Sequence, residues 1–159
     1  MRFSIKEEFS YIFDAFMRYT SFFGSPFFIG FVFAFLLVLG QYAFAFKLAI
    51  ASAVFLIIQY SMKAALNDPR PDFKLIHPHS LFARFEEKHS FPSGHAGYVA
   101  LLTTMLQLTY QNILLTSLFV AIMFCVGISR MYLKRHRLSD VIVGYILGIV
   151  VGYVIFMIL

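Results

Sequence analysis

From Pro26 to Leu159 the chain is a succession of apolar runs, each close to bilayer length, separated by short polar breaks. No other feature limits the fold so strongly. A helix satisfies its own backbone hydrogen bonds and needs about 20 apolar residues to cross hydrocarbon. Pro26 to Phe46 forms one such run, and Leu48 to Leu66 a second, closed by the breaker Asn67-Asp68-Pro69. A third helix is expected from Ser93, a candidate N-cap after Pro92, to Tyr110. Ile113 to Leu133 is the fourth, and Asp140 to Leu159 the fifth, with Ser139 as its candidate N-cap. The expected fold is therefore all-α, an integral membrane helical bundle with five clear transmembrane helices.

The first 24 residues differ from the rest. Phe9, Ile12, Phe13, Phe16, Met17 and Phe23 fall on one helical face, with Glu7, Ser10, Asp14, Arg18 and Ser21 on the other. This reads as an amphipathic helix at the membrane surface, or as a sixth span with Asp14 and Arg18 paired inside the bundle. Residues 67–92 hold four of the chain's five prolines and many polar residues, which makes them an extramembrane loop. Gly144, Gly148 and Gly152 recur every fourth residue on the last helix, a stripe suited to close helix packing. Length and continuity place all of residues 1–159 in a single domain.

Composition agrees with a lipid solvent: 60% of residues are hydrophobic, and 21 Phe with no Trp leave any aromatic belt to Tyr and Phe. The single cysteine, Cys125, excludes an intrachain disulfide and reads as a small core residue. Lys6, Glu7 and Glu8 do not fit the start of a cleavable signal peptide. The net charge of +5 gathers between Lys63 and Arg137, beside the histidines. That distribution suits a pocket for an anionic headgroup and not a nucleic-acid groove.

Three segments carry the chemistry: Lys63 to Pro71, Pro92 to His95, and Ser129 to Asp140. Counting alternate spans puts all three on one membrane face. His136 and Asp140 are four apart, a spacing that joins their side chains if one helix includes both. A carboxylate on one ring nitrogen fixes the tautomer and turns the other nitrogen into a nucleophile. His95 follows Ser93-Gly94 at a helix N-terminus, where backbone N–H groups attract an anion, and a histidine there can protonate a leaving oxygen. Lys63, Arg70 and Arg130 supply positive charge for a phosphoryl group. Lys134, Arg135 and Arg137 read as cations snorkelling to headgroups. His77, His79 and His89 read as loop histidines. His77-Pro78-His79 lacks the further ligands of a chelating site, so no metal and no cofactor is expected. Asp68, Asp72, Glu86 and Glu87 read as solvated loop charges, with Asp68 also able to order its own loop.

The same segments resemble the signature of the type-2 phosphatidic acid phosphatase superfamily: Lys, six residues, Arg-Pro; Pro-Ser-Gly-His; and Ser-Arg, five residues, His, three residues, Asp. Lys63, Arg70, Pro71, Pro92 to His95, Ser129, Arg130, His136 and Asp140 fill every defining position. The resemblance implies a metal-independent reaction in two steps. His136 would attack phosphorus to give a phosphohistidine, with Asp140 orienting it. His95 would protonate the leaving group and then activate water. Lys63, Arg70, Ser93, Gly94 and Arg130 would hold the non-bridging oxygens. It also implies six spans in membrane members, with the site on the extracytoplasmic face of a bacterial inner membrane. The positive-inside bias taken alone points the other way, but several of these cations have a use in the site.

The partner expected is therefore a membrane lipid carrying a phosphate monoester or pyrophosphate, met in the lipid bilayer. Undecaprenyl pyrophosphate, phosphatidylglycerophosphate, lipid A 1-phosphate and phosphatidic acid are the candidates. A phosphotransferase using the same histidine is a second reading, and a non-catalytic headgroup-binding protein a third. Vanadate-dependent haloperoxidases share related folds, but they resemble soluble proteins and fit these apolar spans poorly.

Overall fold

The protein is described here by a computed structural model, which defines the backbone of residues 5–69 and 89–159 and the side chains of residues 10–69 and 89–159. Among the described residues six helices follow one another: α1 (Ile5–Phe22), α2 (Pro26–Val38), α3 (Tyr42–Leu66), α4 (Gly94–Tyr110), α5 (Ile113–Tyr132) and α6 (Leu138–Ile158). Among the described residues the only β pairing is an isolated bridge between Pro69 and His89.

The helix ends follow from local chemistry. Ser25 caps α2, its Oγ accepting the Phe28 N–H at 3.1 Å, and Pro26 fits the first turn because it has no N–H to satisfy. Asn67 and Gln111 stop α3 and α4 in the left-handed conformation, their N–H groups returning to the Lys63 and Gln107 carbonyls. Asn112 then caps α5 through the Leu115 N–H at 3.0 Å.

Two span boundaries depart from expectation. The run Pro26 to Phe46 is not one helix, because Gly40 (φ 71°) turns the chain between α2 and α3. Tyr42 to Phe46 therefore join α3, which reaches 25 residues. The 13 residues of α2 extend only about 20 Å, short of a bilayer core. Uniform apolarity signals lipid but is silent on where the chain turns. The third expected span, α4, is 17 residues long and is the bundle's central helix, with eleven of them buried. Among the described residues three helices, α3, α5 and α6, are long and apolar enough to cross a membrane. The bent pair Ser10–Phe22 and Pro26–Val38, at 54°, makes a fourth if it acts as one broken span. Five clear spans are thus not what the helices provide.

Two smaller expectations also change. Arg137, not Ser139, occupies the N-cap of α6, and Asp140 takes the third helical position, where its carboxylate accepts the Arg137 N–H at 2.9 Å. Cys125 lies exposed on α5 and is not a core residue.

The expected glycine stripe does pack closely, against α4. A Cβ at Gly144 would meet the Ser93 carbonyl oxygen at 2.5 Å, and one at Gly148 would strike the Gly97 carbonyl. Elsewhere the core is side-chain packing, with Leu48, Ala51 and Phe55 of α3 against Tyr98, Leu101, Leu102 and Met105 of α4. Large apolar residues such as Leu118, Phe124, Ile146 and Val150 point outward, as a lipid solvent allows.

Candidate active site

The N-terminus of α4 is fixed from two sides. The Ser93 N–H donates to the Asp140 carbonyl at 3.0 Å, which ties the start of α4 to the first turn of α6. Gly94 lies against the Gln59 amide of α3, so close that a Cβ there would stand 2.5 Å from Gln59 Nε2. Lys63 follows Gln59 by one turn and is 1% exposed, its ammonium 5.7 Å from the centre of the Tyr60 ring. Ser93 takes the N-cap position, as the sequence suggests, but its hydroxyl makes no capping bond. Its Oγ is buried and has no hydrogen-bond partner among the described residues. A hydroxyl in that state, beside outward-pointing helix N–H groups, is suited to an anion.

His136 and Asp140 come together without sharing a helix. Residues 133–137 form a tight return in which the Arg130 carbonyl accepts the Arg135 N–H at 3.0 Å and the His136 N–H at 3.3 Å. This swings the imidazole over the first turn of α6, where His136 Nδ1 stands 3.7 Å from Asp140 Oδ2. That separation is an ion-pair distance and not a hydrogen bond. The connection is made by Ser90, whose hydroxyl donates to Asp140 Oδ2 and lies 3.4 Å from His136 Nδ1. Asp140 also accepts from the Ser139 hydroxyl at 3.2 Å.

Arg130 is 8% exposed at the end of α5, and its Nη1 donates to Ser21 Oγ of α1 at 2.6 Å. His95 sits in the first turn of α4, half-buried, its backbone carbonyl pressed against Gly24. Lys63, Ser93, Gly94, His95, Arg130, His136 and Asp140 thus share one end of the bundle, as alternate spans require. Arg70 lies outside the described residues, as do Pro71, Asp72, His77, His79, Glu86 and Glu87.

Several residues gain partners that spacing did not indicate. His89 is buried, its Nε2 2.9 Å from Asn67 Oδ1, and the Ser90 N–H donates to the Asp68 carbonyl at 2.8 Å. Arg137 reaches Asp68 at 3.0 Å in place of lipid headgroups. Both are partly exposed, so this pair adds little stability, but it ties the end of α3 to the start of α6. Ser90 and Gln59 gave no signal because they lie outside a spaced motif, and Ser21 read only as part of the polar face of α1. Chemically, the cluster offers two buried cations, a hydroxyl without a partner among the described residues, and an imidazole oriented through a serine and a carboxylate.

Comparison with known proteins places this geometry. Aquifex aeolicus LpxE has a crystal structure alike at TM-score 0.77 and 24% identity, over 92% of this chain and 86% of that one. The first transmembrane PAP2 type phosphatidylglycerolphosphate phosphatase from Bacillus subtilis is alike at TM-score 0.75 and 21% identity, over 92% and 76%. At such identities these likenesses establish the fold. The family model of the PAP2 superfamily matches residues 42–159, from the start of α3 through all of α6. That stretch carries every motif position described above, and the chain belongs to the PAP2 superfamily.

Proposed function

We propose that the protein is an integral membrane lipid phosphatase that hydrolyses a lipid phosphate monoester or pyrophosphate through a phosphohistidine at His136. The observation that carries this reading is the buried Ser90–Asp140–His136 arrangement beside the Ser93 hydroxyl at the N-terminus of α4. With Nδ1 turned toward Ser90 and Asp140, Nε2 is the nucleophile. It forms a bond to phosphorus as the phosphorus–oxygen bond to the lipid breaks, and His95 gives that oxygen a proton. His95 then takes a proton from water, whose oxygen displaces His136 and releases phosphate. Lys63, Arg70, Arg130, Ser93 and the Gly94 N–H hold the non-bridging oxygens. These groups supply the positive charge the reaction needs, so it proceeds without a metal. The active site faces the extracytoplasmic side of a bacterial inner membrane.

A groove of about 260 Å³ supports a lipid substrate. Pro26, Ile29, Gly30 and Phe33 of α2, Leu48, Ser52 and Leu56 of α3, and Tyr98 of α4 line it. It begins at Pro26, two residues from the Gly24–His95 contact, and runs along α2 as far as Phe33, a course that suits a hydrocarbon tail. Gly30 has open space where a Cβ would project. Gly30→Phe should therefore lower kcat/KM for long-chain phosphatidic acid by roughly tenfold, since each displaced methylene forfeits about 0.8 kcal/mol. Hydrolysis of a short-chain, water-soluble phosphate ester should be unchanged. Equal losses on both would remove the groove from the mechanism.

The candidate substrates remain phosphatidic acid, phosphatidylglycerophosphate, undecaprenyl pyrophosphate and lipid A 1-phosphate, and the name of the similar phosphatidylglycerolphosphate phosphatase favours testing the phospholipids first. The experiment is phosphate release by detergent-purified protein in excess EDTA on each lipid. Release from one of them names the substrate class, whereas a phosphorylated acceptor in place of free phosphate would show a transferase.

Ser90→Ala should slow turnover by roughly 10- to 100-fold, because a hydrogen bond to a charged group is worth about 1.5–3 kcal/mol. Steady-state kinetics should show the loss in kcat with KM little changed. A loss confined to KM would mean that Ser90 does not orient the nucleophile.

A further inference from the structure

The corner between α1 and α2 lies outside the stretch matched by the family, yet it touches two residues of the proposed site. Ser21, 6% exposed on the last turn of α1, accepts a 2.6 Å hydrogen bond from Arg130 Nη1. Three residues on, Gly24 meets the His95 backbone so closely that a Cβ would collide with its carbonyl and stand 2.9 Å from its Cβ. The corner is held in place independently. Tyr132 donates to Asp14 at 2.6 Å two turns before Ser21, the Phe13 and Tyr132 rings meet edge-on at 5.1 Å, and Met17 is buried between these contacts.

We infer that Ser21 is a positioning residue for phosphate binding, and that the α1–α2 corner forms part of the site. A guanidinium is planar, with its N–H groups in a fixed fork. A bond that holds one terminal nitrogen against Ser21 sets the plane of the fork and so the direction in which its other N–H groups point. The neighbouring Gly24 contact sets the height of the α4 first turn, which carries His95 and the Ser93 hydroxyl. Arg130 is delivered by α5 and His95 by α4, and α1 with its corner is the element that touches both. This inference rests on the reading of Arg130 as a phosphate-binding residue.

The test compares Ser21→Ala, Ser21→Thr, Arg130→Lys and the Ser21→Ala/Arg130→Lys double variant in the full-length protein. Three quantities are read: kcat/KM on phosphatidic acid, the affinity for inorganic phosphate from ligand-induced thermal shift, and the unfolding temperature without ligand. Ser21→Ala should lower both kcat/KM and phosphate affinity about tenfold at a nearly unchanged unfolding temperature. Ser21→Thr, which keeps the hydroxyl, should recover most of each. In the Arg130→Lys background Ser21→Ala should add little, because the two residues act as one unit. Unchanged phosphate affinity in Ser21→Ala, or independent additive losses in the double variant, would overturn the inference. Phosphate affinity is measured without turnover, so a protein that binds phosphate through Ser21 but hydrolyses no lipid would defeat the hydrolase reading and leave this one standing.

Discussion

His136→Ala should abolish phosphate release, by roughly 10⁴-fold or more, because removing the nucleophile of a covalent mechanism leaves only the background catalysis of the binding groups. The helices should stay folded. The 133–137 return is held by the Arg130 carbonyl accepting the backbone N–H groups of residues 135 and 136, bonds that do not involve the imidazole. Ser90 would still donate to Asp140, and the Arg137 N–H would still cap its carboxylate, so the buried Asp140 keeps hydrogen-bond donors. Two measurements check this. Phosphate release should vanish at an unchanged unfolding temperature, and rapid acid-free quenching of the wild type with labelled substrate should trap an acid-labile phosphorylated protein that the variant never forms. Wild-type turnover in His136→Ala would refute the covalent route, whichever lipid proved to be the substrate.

The largest structural effect is expected at Gly148. A Cβ there would collide with the Gly97 carbonyl oxygen, and would stand 2.9 Å from the Gly97 carbonyl carbon and 3.0 Å from the Leu101 nitrogen. All three atoms are backbone, so no rotamer change relieves the clash, and α4 must move away from α6. Overpacking a tight core commonly costs about 1–3 kcal/mol, and more where the backbone cannot yield. At roughly 2–4 °C per kcal/mol for a chain of this size, Gly148→Val should lower the unfolding temperature by about 10 °C or prevent accumulation. Gly30→Ala is the control, since its new methyl meets nothing within 4 Å. Thermal unfolding of both in detergent decides. Equal stabilities would mean that the α4–α6 contact is looser than the structure shows.

These glycines also mark what the sequence made legible. A small residue at every fourth position of an apolar run has few explanations besides close packing, and Gly144, Gly148 and Gly152 do pack so. The convergence of the three motifs was legible too, because alternation of spans is topology and needs no detail. What escaped depended on competition between local options. Ser139 and Arg137 both stand where α6 could begin, and the carboxylate of Asp140 selects Arg137 by accepting its N–H. Long apolar stretches flank Gly40-Gln41 on both sides, so the turn there was read through as part of one span. Polar residues of α1 such as Ser21 seemed to mark a solvated face, yet Ser21 is buried against α5. Ser90 was invisible for a related reason: a hydroxyl's value lies in where the chain folds it, and spacing does not report that.

The seam between α4 and α6 is made of main chain, with glycine on one side and the carbonyls of Ser93, Gly97 and Leu101 on the other. A joint in which backbone meets backbone at its closest points has little slack to take up, so the two helices move as one stiff block. His95 rides on one member of that block and Asp140 on the other, which would keep the proposed proton donor in fixed register with the carboxylate that faces His136. Any breathing that admits a bulky lipid must come from the opposite flank. There α2 and the first turns of α3 pack through side chains such as Ile29, Leu36, Phe44 and Leu48, which have rotamers to exchange and lie at the end of α3 away from Lys63.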